Sequence, residues 1–107
     1  MNNIHYEELL IAELFTAKYN RPIKNEVANL WAKHFNMRYV GSIVVSHRDG
    51  KYYIVDGQHR VQAAKIRGVR TLPCMVHESL TYQEEADMYV VLNKDRKGLL
   101  VTELFNG

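Results

Sequence analysis

The segment Asp56-Gly57-Gln58-His59-Arg60 places polar side chains that could do chemistry between an apolar run and a helical pattern. The residues before it, Tyr52 to Val55, are aromatic and β-branched, which predicts a strand, and the residues after it have helical spacing. We therefore expect a strand to end and a helix to begin here. The exposed N–H groups of a helix start bind anions, so the chemistry that the segment predicts is phosphate binding.

The first turn of that helix carries charges of an unusual sign. A helix N-terminus bears about half a positive charge, so Asp or Glu usually follows it, whereas this turn holds Gln58, His59 and Arg60. Asp56 could cap the helix by itself, but capping leaves two cation-capable side chains unexplained, and a bound anion accounts for them. Gly57 lets the backbone approach the anion closely, and Arg60 supplies charge-assisted hydrogen bonds. If a reaction takes place here, Asp56 and His59 are the candidate catalytic groups.

Other site chemistries have weaker signals in the sequence. No metal-ligand spacing joins the five histidines, so the sequence predicts no metal site; they are His5, His34, His47, His59 and His77. Cys74 is the single cysteine, which excludes an internal disulfide and fits a reducing cytoplasm. It lies in the apolar run Leu72 to Val76, where a buried, inert thiol is expected rather than a nucleophile.

Length and composition predict an ordinary globular domain. The 107 residues fit one domain, which we place at residues 1–107, and the apolar pair Leu104-Phe105 near the end suggests the N-terminal part of a longer protein. A formal charge of +2 gives no strong case for nucleic acid by itself. No segment is apolar for long enough to span a membrane, and the N-terminus is too polar for a signal peptide, so we expect a cytoplasmic protein.

The first half of the chain predicts a strand region and one helix before the hairpin. Residues 6–16 fit one strand, or a helical turn and a strand, and Tyr19 to Pro22 predicts an extended loop. Apolar residues at helical spacing predict a helix from Asn25, capped by that residue. Strands at Ser42–Ser46 and Lys51–Val55 then flank a turn at Arg48-Asp49-Gly50.

The second half predicts two helices around a buried strand. A helix at residues 58–67 is ended by Gly68, and its Ala63 and Ala64 allow close packing on a sheet. Residues 71–77 form the strand. Thr81 and Glu84 make a capping box that opens a helix to about Asn93, after which residues 96–98 stop it. The expected fold is a small mixed α/β domain.

The run Tyr53 to Arg60, followed by Ala63-Ala64 and Gly68, resembles the ParB N-terminal domain and sulfiredoxin superfamily. The resemblance extends over most of the chain: Arg21-Pro22 matches an arginine-containing loop, and residues 25–36 and 41–45 match the family's helix, glycine turn and strand. Asn93 and Arg96 fall where ParB proteins carry a Glu-Asn-x-x-Arg segment. The string Asp-Gly-Gln-His-Arg is typical of a branch rich in phage and prophage proteins.

The resemblance implies a ParB/sulfiredoxin-like mixed sheet with packed helices and a nucleotide site. ParB binds and hydrolyses CTP, sulfiredoxin uses ATP, and a related free serine kinase uses ADP. In each, the turn that corresponds to residues 57–60 meets phosphate. The residues implied to bind nucleotide or phosphate are Asn20, Arg21, Gly57, Gln58, His59, Arg60, Asn93 and Arg96.

Two departures from the family's patterns limit the chemistry that the resemblance implies. The catalytic cysteine of sulfiredoxin falls at Gln58, so sulfinic acid reduction is not expected. The Glu with which ParB binds metal falls at Leu92, which cannot hold Mg²⁺. We therefore expect CTP or ATP to be bound, while ParB-type CTP hydrolysis and a role for Mg²⁺ remain open.

Three functions remain open at this point. The first is a nucleotide-binding, DNA-associated or regulatory module of a phage, prophage or plasmid protein. The second is an enzyme: a small-molecule kinase or NTPase with Asp56 as the base, or a nuclease that uses the acidic group Glu84-Glu85-Asp87. The third is direct DNA binding by Arg60, Lys65, Arg67 and Arg70. A monomer and an oligomer are both compatible with the sequence.

Overall fold

The computed structural model describes residues 3–94, which form five strands and four α-helices around one sheet. The strands are β1 (Ile4–Leu10), β2 (Leu14–Phe15), β3 (Ile43–Arg48), β4 (Lys51–Asp56) and β5 (Thr71–Glu78), and a 3-10 turn (Ile11–Glu13) separates β1 from β2. The helices are α1 (Asn25–Lys33), α2 (Met37–Val40), α3 (Gln58–Ile66) and α4 (Tyr82–Lys94). The predicted mixed α/β class is confirmed.

The strands form a mixed sheet in the order β1-β5-β3-β4-β2. β1 runs antiparallel to β5, β5 parallel to β3, β3 antiparallel to β4, and β4 parallel to β2. The two residues Asp49 and Gly50, both with positive φ (54° and 76°), join β3 to β4. This is the turn that the sequence predicts, and the pairing of Arg48 with Lys51 closes it.

Helix α3 packs on one face of the sheet, and α1 packs on α3. Alternate residues of β5 (Leu72, Cys74 and Val76) are buried there with Ile43 and Val45 of β3. Helix α3 packs on this layer through side chains that include Ala64, while Ala63 lies against Trp31 and Ala32 of α1. Ala63 and Ala64 have no exposed surface, so the predicted close approach of α3 to its neighbours is confirmed.

Helices α1 and α3 run parallel to each other, with their N-termini side by side. At their starts the backbone N–H of Lys24 donates to Nε2 of His59 (3.0 Å). Near their ends the guanidinium of Arg67 donates to the carbonyl of Ala32 (3.0 Å). The positive ends of two helix dipoles therefore lie side by side, next to the C-terminal end of β4.

The opposite face of β4 is covered by α4. Because side chains alternate along a strand, Tyr53 and Val55 lie on the face away from Ile54 and the α1–α3 layer. From α4, Asn93 donates to the carbonyl of Val55 (3.1 Å) and Glu85 pairs with Arg48 (3.0 Å).

Several predicted boundaries hold, and others need correction. The capping box is confirmed, since Thr81 N–H donates to Glu84 (2.9 Å) and Glu84 N–H donates to Thr81 Oγ1 (3.1 Å). Gly68, at φ 74°, ends α3 as predicted. The predicted cap at Asn25 is wrong: Lys24 precedes the helix, without a side-chain capping bond.

The region between α1 and β3 also differs from the prediction. Helix α1 ends at Lys33 rather than Asn36, and Asn36 instead caps α2, accepting from the N–H of Arg38 (2.8 Å). A four-residue helix carries too little periodicity to be recognised in a sequence. In residues 6–16 both a strand and a helical turn are present. The predicted stop at residues 96–98 lies outside the described residues, as does the pair Leu104-Phe105.

Candidate functional site

The predicted turn at the end of β4 has the geometry of a helix start. β4 ends at Asp56, Gly57 adopts φ 112° and ψ 17°, and α3 begins at Gln58. The first intrahelical hydrogen bond runs from Val61 N–H to the carbonyl of Gly57 (2.8 Å). The N–H groups of residues 58–60 therefore have no acceptor within the helix, and no acidic residue lies in this turn. Asp56 ends the strand and does not occupy the capping position.

The space beneath the turn explains the glycine. A Cβ on residue 57 would lie 2.7 Å from Cδ1 of Ile43 and 2.9 Å from a guanidinium nitrogen of Arg60. A φ of 112° is also a conformation that side chains with a Cβ rarely adopt. Gly57 is therefore required both by its backbone angle and by the close approach of Arg60.

Arg60 lies inside the protein rather than on its surface. Only 9% of the residue is exposed, and its guanidinium donates to the carboxylate of Asp56 (3.3 Å) and to the carbonyl of Val40. Val40 is the last residue of α2, so the cation also meets the negative end of that helix. This position differs from the exposed first-turn cation that the sequence suggests. Arg60 supports the turn from beneath.

His59 is held as a neutral acceptor. A backbone N–H can only donate, so the bond from Lys24 requires an unprotonated Nε2, with the ring proton on Nδ1. Burial lowers the pKa of His59, and the nearby Lys24 charge lowers it further. At neutral pH, His59 therefore contributes a hydrogen bond between α3 and the start of α1 rather than a positive charge.

The loop of residues 16–24, here the β2–α1 loop, lies against the first turn of α3. Asn20 donates to the carbonyl of Ile54 (3.0 Å) and to Oε1 of Gln58 (3.1 Å). Gln58 in turn donates to the carbonyl of Arg21 (2.7 Å). Two predicted loop residues therefore lie beside the predicted turn, while the side chains of Arg21 and Lys24 are exposed to solvent.

The last turns of α4 complete the site. Asn93 donates to the carbonyl of Val55, next to Asp56, and to the carbonyl of Tyr89 (2.8 Å). The Tyr89 hydroxyl accepts from the N–H of Arg21 (3.1 Å), so α4 and the β2–α1 loop meet here. Of the predicted site residues, Arg96 alone lies outside the described part of the chain.

The acidic group Glu84-Glu85-Asp87 is dispersed by the fold. Glu84 caps α4, Asp87 accepts from Gln83 (2.8 Å), and Glu85 is fully buried on the sheet side of the helix. Among the described residues, no three His, Cys, Asp or Glu side chains group in a way that could hold a metal ion. Glu85 therefore points into the protein, whereas Glu84 and Asp87 are exposed.

Sequence reasoning missed Glu85 as a residue that supports the site. Glu85, Tyr89 and Asn93 recur every four residues and so form one stripe along α4. This polar stripe is the signal in the sequence that could have identified Glu85, because its residues have the spacing of a buried helix face. It lies on the packed side of α4, whereas Val90 and Val91 on that helix are 55% and 62% exposed.

Cys74 cannot act as the nucleophile of the site. It has no exposed surface, and it lies in β5 within the apolar layer. Burial and the nearby acidic residues Glu8 and Glu7 raise the pKa of its thiol to about 12. The thiol is therefore protonated at neutral pH, as expected of an inert core cysteine.

A family model described as "Family of unknown function (DUF6551)" matches residues 15–99. The chain belongs to this family. A nucleoid occlusion protein from Halalkalibacterium halodurans is 34% identical over 61 residues, which are 57% of this chain and 21% of that protein. The chain thus spans about a fifth of that relative's length.

Solved structures share the fold of this family member. A C-terminally truncated chromosome-partitioning protein ParB from Caulobacter crescentus, complexed with CTP-γ-S, has a TM-score of 0.71 at 22% identity, over 95% of this chain and 65% of that one. Its complex with the centromeric parS site has a TM-score of 0.69 at 22% identity, over 94% and 59%. Sulfiredoxin from Arabidopsis thaliana has a TM-score of 0.56 at 23% identity, over 70% and 86%.

These likenesses confirm the predicted ParB/sulfiredoxin-like fold. Both residues that depart from the patterns of sulfiredoxin and ParB lie in described helices. Gln58 is the first residue of α3, and Leu92 lies beside Asn93 on α4. No helix among residues 3–94 is long and apolar enough to cross a membrane.

We predict that Gly57→Ala destabilises the protein by roughly 2 to 4 kcal/mol, because it adds backbone strain to a steric clash. Gly50→Ala is the matched control: its φ is also positive (76°), but nothing lies within 4 Å of the added Cβ. The control should cost about 1 kcal/mol, from backbone strain alone. Urea unfolding compares the two, and equal losses would show that the turn has room for a side chain.

We predict that His59 makes the protein less stable in mild acid. Its pKa is lowered in the folded state, so the unfolded chain takes up the proton more readily, and stability falls as pH drops below the ordinary value of 6.5. His77 is shifted in the same direction by burial and adds a second contribution. His59→Gln keeps an acceptor for Lys24 without titrating, so its unfolding free energy should fall less between pH 7.5 and 5.5. If the unfolding free energies of His59→Gln and the wild-type protein fall equally with pH, His59 is not a neutral acceptor.

Proposed function

We propose that this protein binds a nucleotide through its phosphate groups at the N-terminus of α3. The observation that carries the proposal is the parallel arrangement of α1 and α3, which brings two helix N-termini together beside the Gly57 turn. Neither start has a side-chain cap. Glu26 lies in the first turn of α1, whereas the first turn of α3 carries no acidic residue, so the N–H groups and the positive dipole end of α3 favour an anion. The fold shared with a ParB solved with CTP-γ-S supports a nucleotide as the anion.

The exposed cations next to this region favour a highly charged ligand. Arg21 and Lys24 come from the β2–α1 loop, whose backbone bonds to Gln58 and His59 at the start of α3. Their side chains are exposed and can turn toward phosphate oxygens. Arg60 contributes from beneath by holding the turn, and Asn93 lies at the margin, where a sugar or base would extend.

Binding is a better proposal than catalysis. Asp56, the best candidate for a kinase base, is 6% exposed and ion-paired with Arg60 (3.3 Å). His59 uses Nε2 to accept from Lys24, so that atom is already engaged. Leu92, where the resemblance to ParB implies a metal-binding carboxylate, offers no ligand for Mg²⁺. We therefore propose CTP or ATP binding without appreciable hydrolysis, and without a requirement for Mg²⁺.

The setting that we propose is a DNA-associated or regulatory module in the cytoplasm, carried by a phage, prophage or plasmid protein. The structural likeness to ParB complexed with parS supports DNA as a partner. Exposed cations near the ends of α1 and α3 would contact phosphates; they are Lys33, Lys65, Arg67 and Arg70. This association would involve the edge of the α1–α3 layer opposite the nucleotide site.

We predict that Arg21→Glu lowers nucleotide affinity about tenfold, because it replaces an attractive charge with a repulsive one. Isothermal titration with CTP, ATP, GTP and UTP, each with Mg²⁺ and with EDTA, measures the effect. Lys51→Glu is the matched control: it makes the same change in net charge at the exposed start of β4, the strand that ends at the site.

The outcomes of this titration distinguish nucleotide binding at the proposed site from a general effect of net charge. Equal losses in both variants would indicate general electrostatics and reject the site, as would wild-type protein that binds no nucleotide at millimolar concentration. Double-stranded DNA titrated at increasing salt is the parallel arm, since binding to phosphates weakens steeply with ionic strength. Phosphate release above buffer would contradict binding without hydrolysis.

A further inference from the structure

Glu85 is a fully buried carboxylate that the proposed binding chemistry leaves unexplained. It lies one turn into α4 and accepts from the Arg48 guanidinium at both oxygens (3.0 and 3.2 Å). The Tyr19 hydroxyl donates to Oε2 at 2.7 Å, and the Ser46 hydroxyl faces the same carboxylate. Burial acts to raise the pKa of Glu85, but the hydrogen bonds from Arg48 and Tyr19, together with the nearby Ser46 hydroxyl, outweigh it and lower the pKa. The carboxylate is therefore charged.

Tyr19 connects this carboxylate to the β2–α1 loop. Its ring packs against the rings of Tyr82 and Tyr89, with centroids 5.9 and 5.2 Å away. Burial and the Glu85 charge raise the pKa of its hydroxyl, so the hydroxyl remains protonated and donates. Arg48 stabilises the same cluster, because its guanidinium lies 4.4 Å from the ring centroid of Tyr53.

The residues after Tyr19 contact the proposed ligand site. Asn20 bonds to Gln58, and Arg21 joins α3 through its carbonyl and α4 through its N–H. Residues 16–24 contain no helix or strand, so side-chain bonds to these two helices fix much of the loop's position. Three consecutive residues thus link the buried carboxylate to the first turn of α3.

We propose that Tyr19 and Glu85 are positioning residues for the nucleotide site: the Tyr19–Glu85 hydrogen bond, here the tether, holds the β2–α1 loop in the conformation that binds phosphate. The proposal rests on the proposed nucleotide function. Loss of the tether leaves Arg48 paired with Glu85 and the sheet intact, but it lets the loop leave α3. Only the fraction of molecules with the loop in place then binds ligand, so the apparent affinity falls by that fraction.

The test compares Tyr19→Phe with Tyr82→Phe, which removes the same oxygen from a neighbouring ring of the cluster without cutting the tether. Tyr19→Phe should bind CTP, or whichever nucleotide the wild-type protein prefers, about tenfold more weakly. Tyr82→Phe should bind as the wild-type protein does. Hydrogen exchange of the ligand-free proteins supplies a readout that a general loss of stability would not produce. The amides of Arg21 and Lys24 should exchange about tenfold faster in Tyr19→Phe, while those of β3 and β5 keep the wild-type rates.

Each outcome bears on one of the two proposals. If the wild-type protein binds nucleotide and Tyr19→Phe binds equally well, the tether is rejected and the proposed function stands. If the wild-type protein binds no nucleotide, the proposed function fails, and exchange at Arg21 and Lys24 still tests whether the tether holds the loop. Faster exchange throughout the sheet of Tyr19→Phe would show a general structural role and overturn the proposal.

Discussion

The geometry of the site depends on one buried contact, the packing of the Arg60 guanidinium beneath Gly57. The guanidinium donates to Asp56 at the end of β4 and to the last carbonyl of α2, while its own backbone belongs to the first turn of α3. A buried charge is tolerated only when its partners are present. Strand end, turn and helix start are therefore fixed relative to one another, and the direction of α3 follows.

This contact also determines where the positive potential of the site comes from. The charge of Arg60 is balanced by Asp56 (3.3 Å), and His59 is neutral because burial and Lys24 lower its pKa. The remaining sources are the N–H groups and dipoles of the parallel helices, with Arg21 and Lys24 at the exposed edge. A preorganised set of backbone donors costs no side-chain ordering when a ligand binds.

The sequence predicted the features whose causes lie within a few residues. The glycine turn before α3, the Asp49-Gly50 hairpin and the Thr81–Glu84 capping box each depend on local backbone chemistry. The resemblance to the ParB and sulfiredoxin superfamily added the distant members of the site. The structure places three of these residues beside the turn: Asn20, Arg21 and Asn93. The hydrogen bonds that hold them there join elements that are far apart in the sequence.

The environment of each charge could not be predicted in the same way. The sequence presents Arg60 and His59 as first-turn cations, but Val40 and Lys24, which decide their roles, are far from them along the chain. Glu85 resembles an acid that complements a helix dipole, and only the packing of α4 on β3 and β4 shows that it points inward. Burial depends on tertiary contacts, which the helix and strand propensities of a local segment do not report.

The cost of the Arg48–Glu85 pair indicates why the fold retains it. An apolar pair of similar volume would hold α4 on the sheet as well or better, since buried ions lose their hydration. An apolar side chain could not accept a directional hydrogen bond from Tyr19 at 2.7 Å. The buried charge therefore contributes orientation of the β2–α1 loop more than stability. Members of one fold carry different chemistries on the same turn. Here Gln58 at that turn accepts from Asn20 and donates to the carbonyl of Arg21, so the proposed nucleotide binding would depend on the position of the β2–α1 loop.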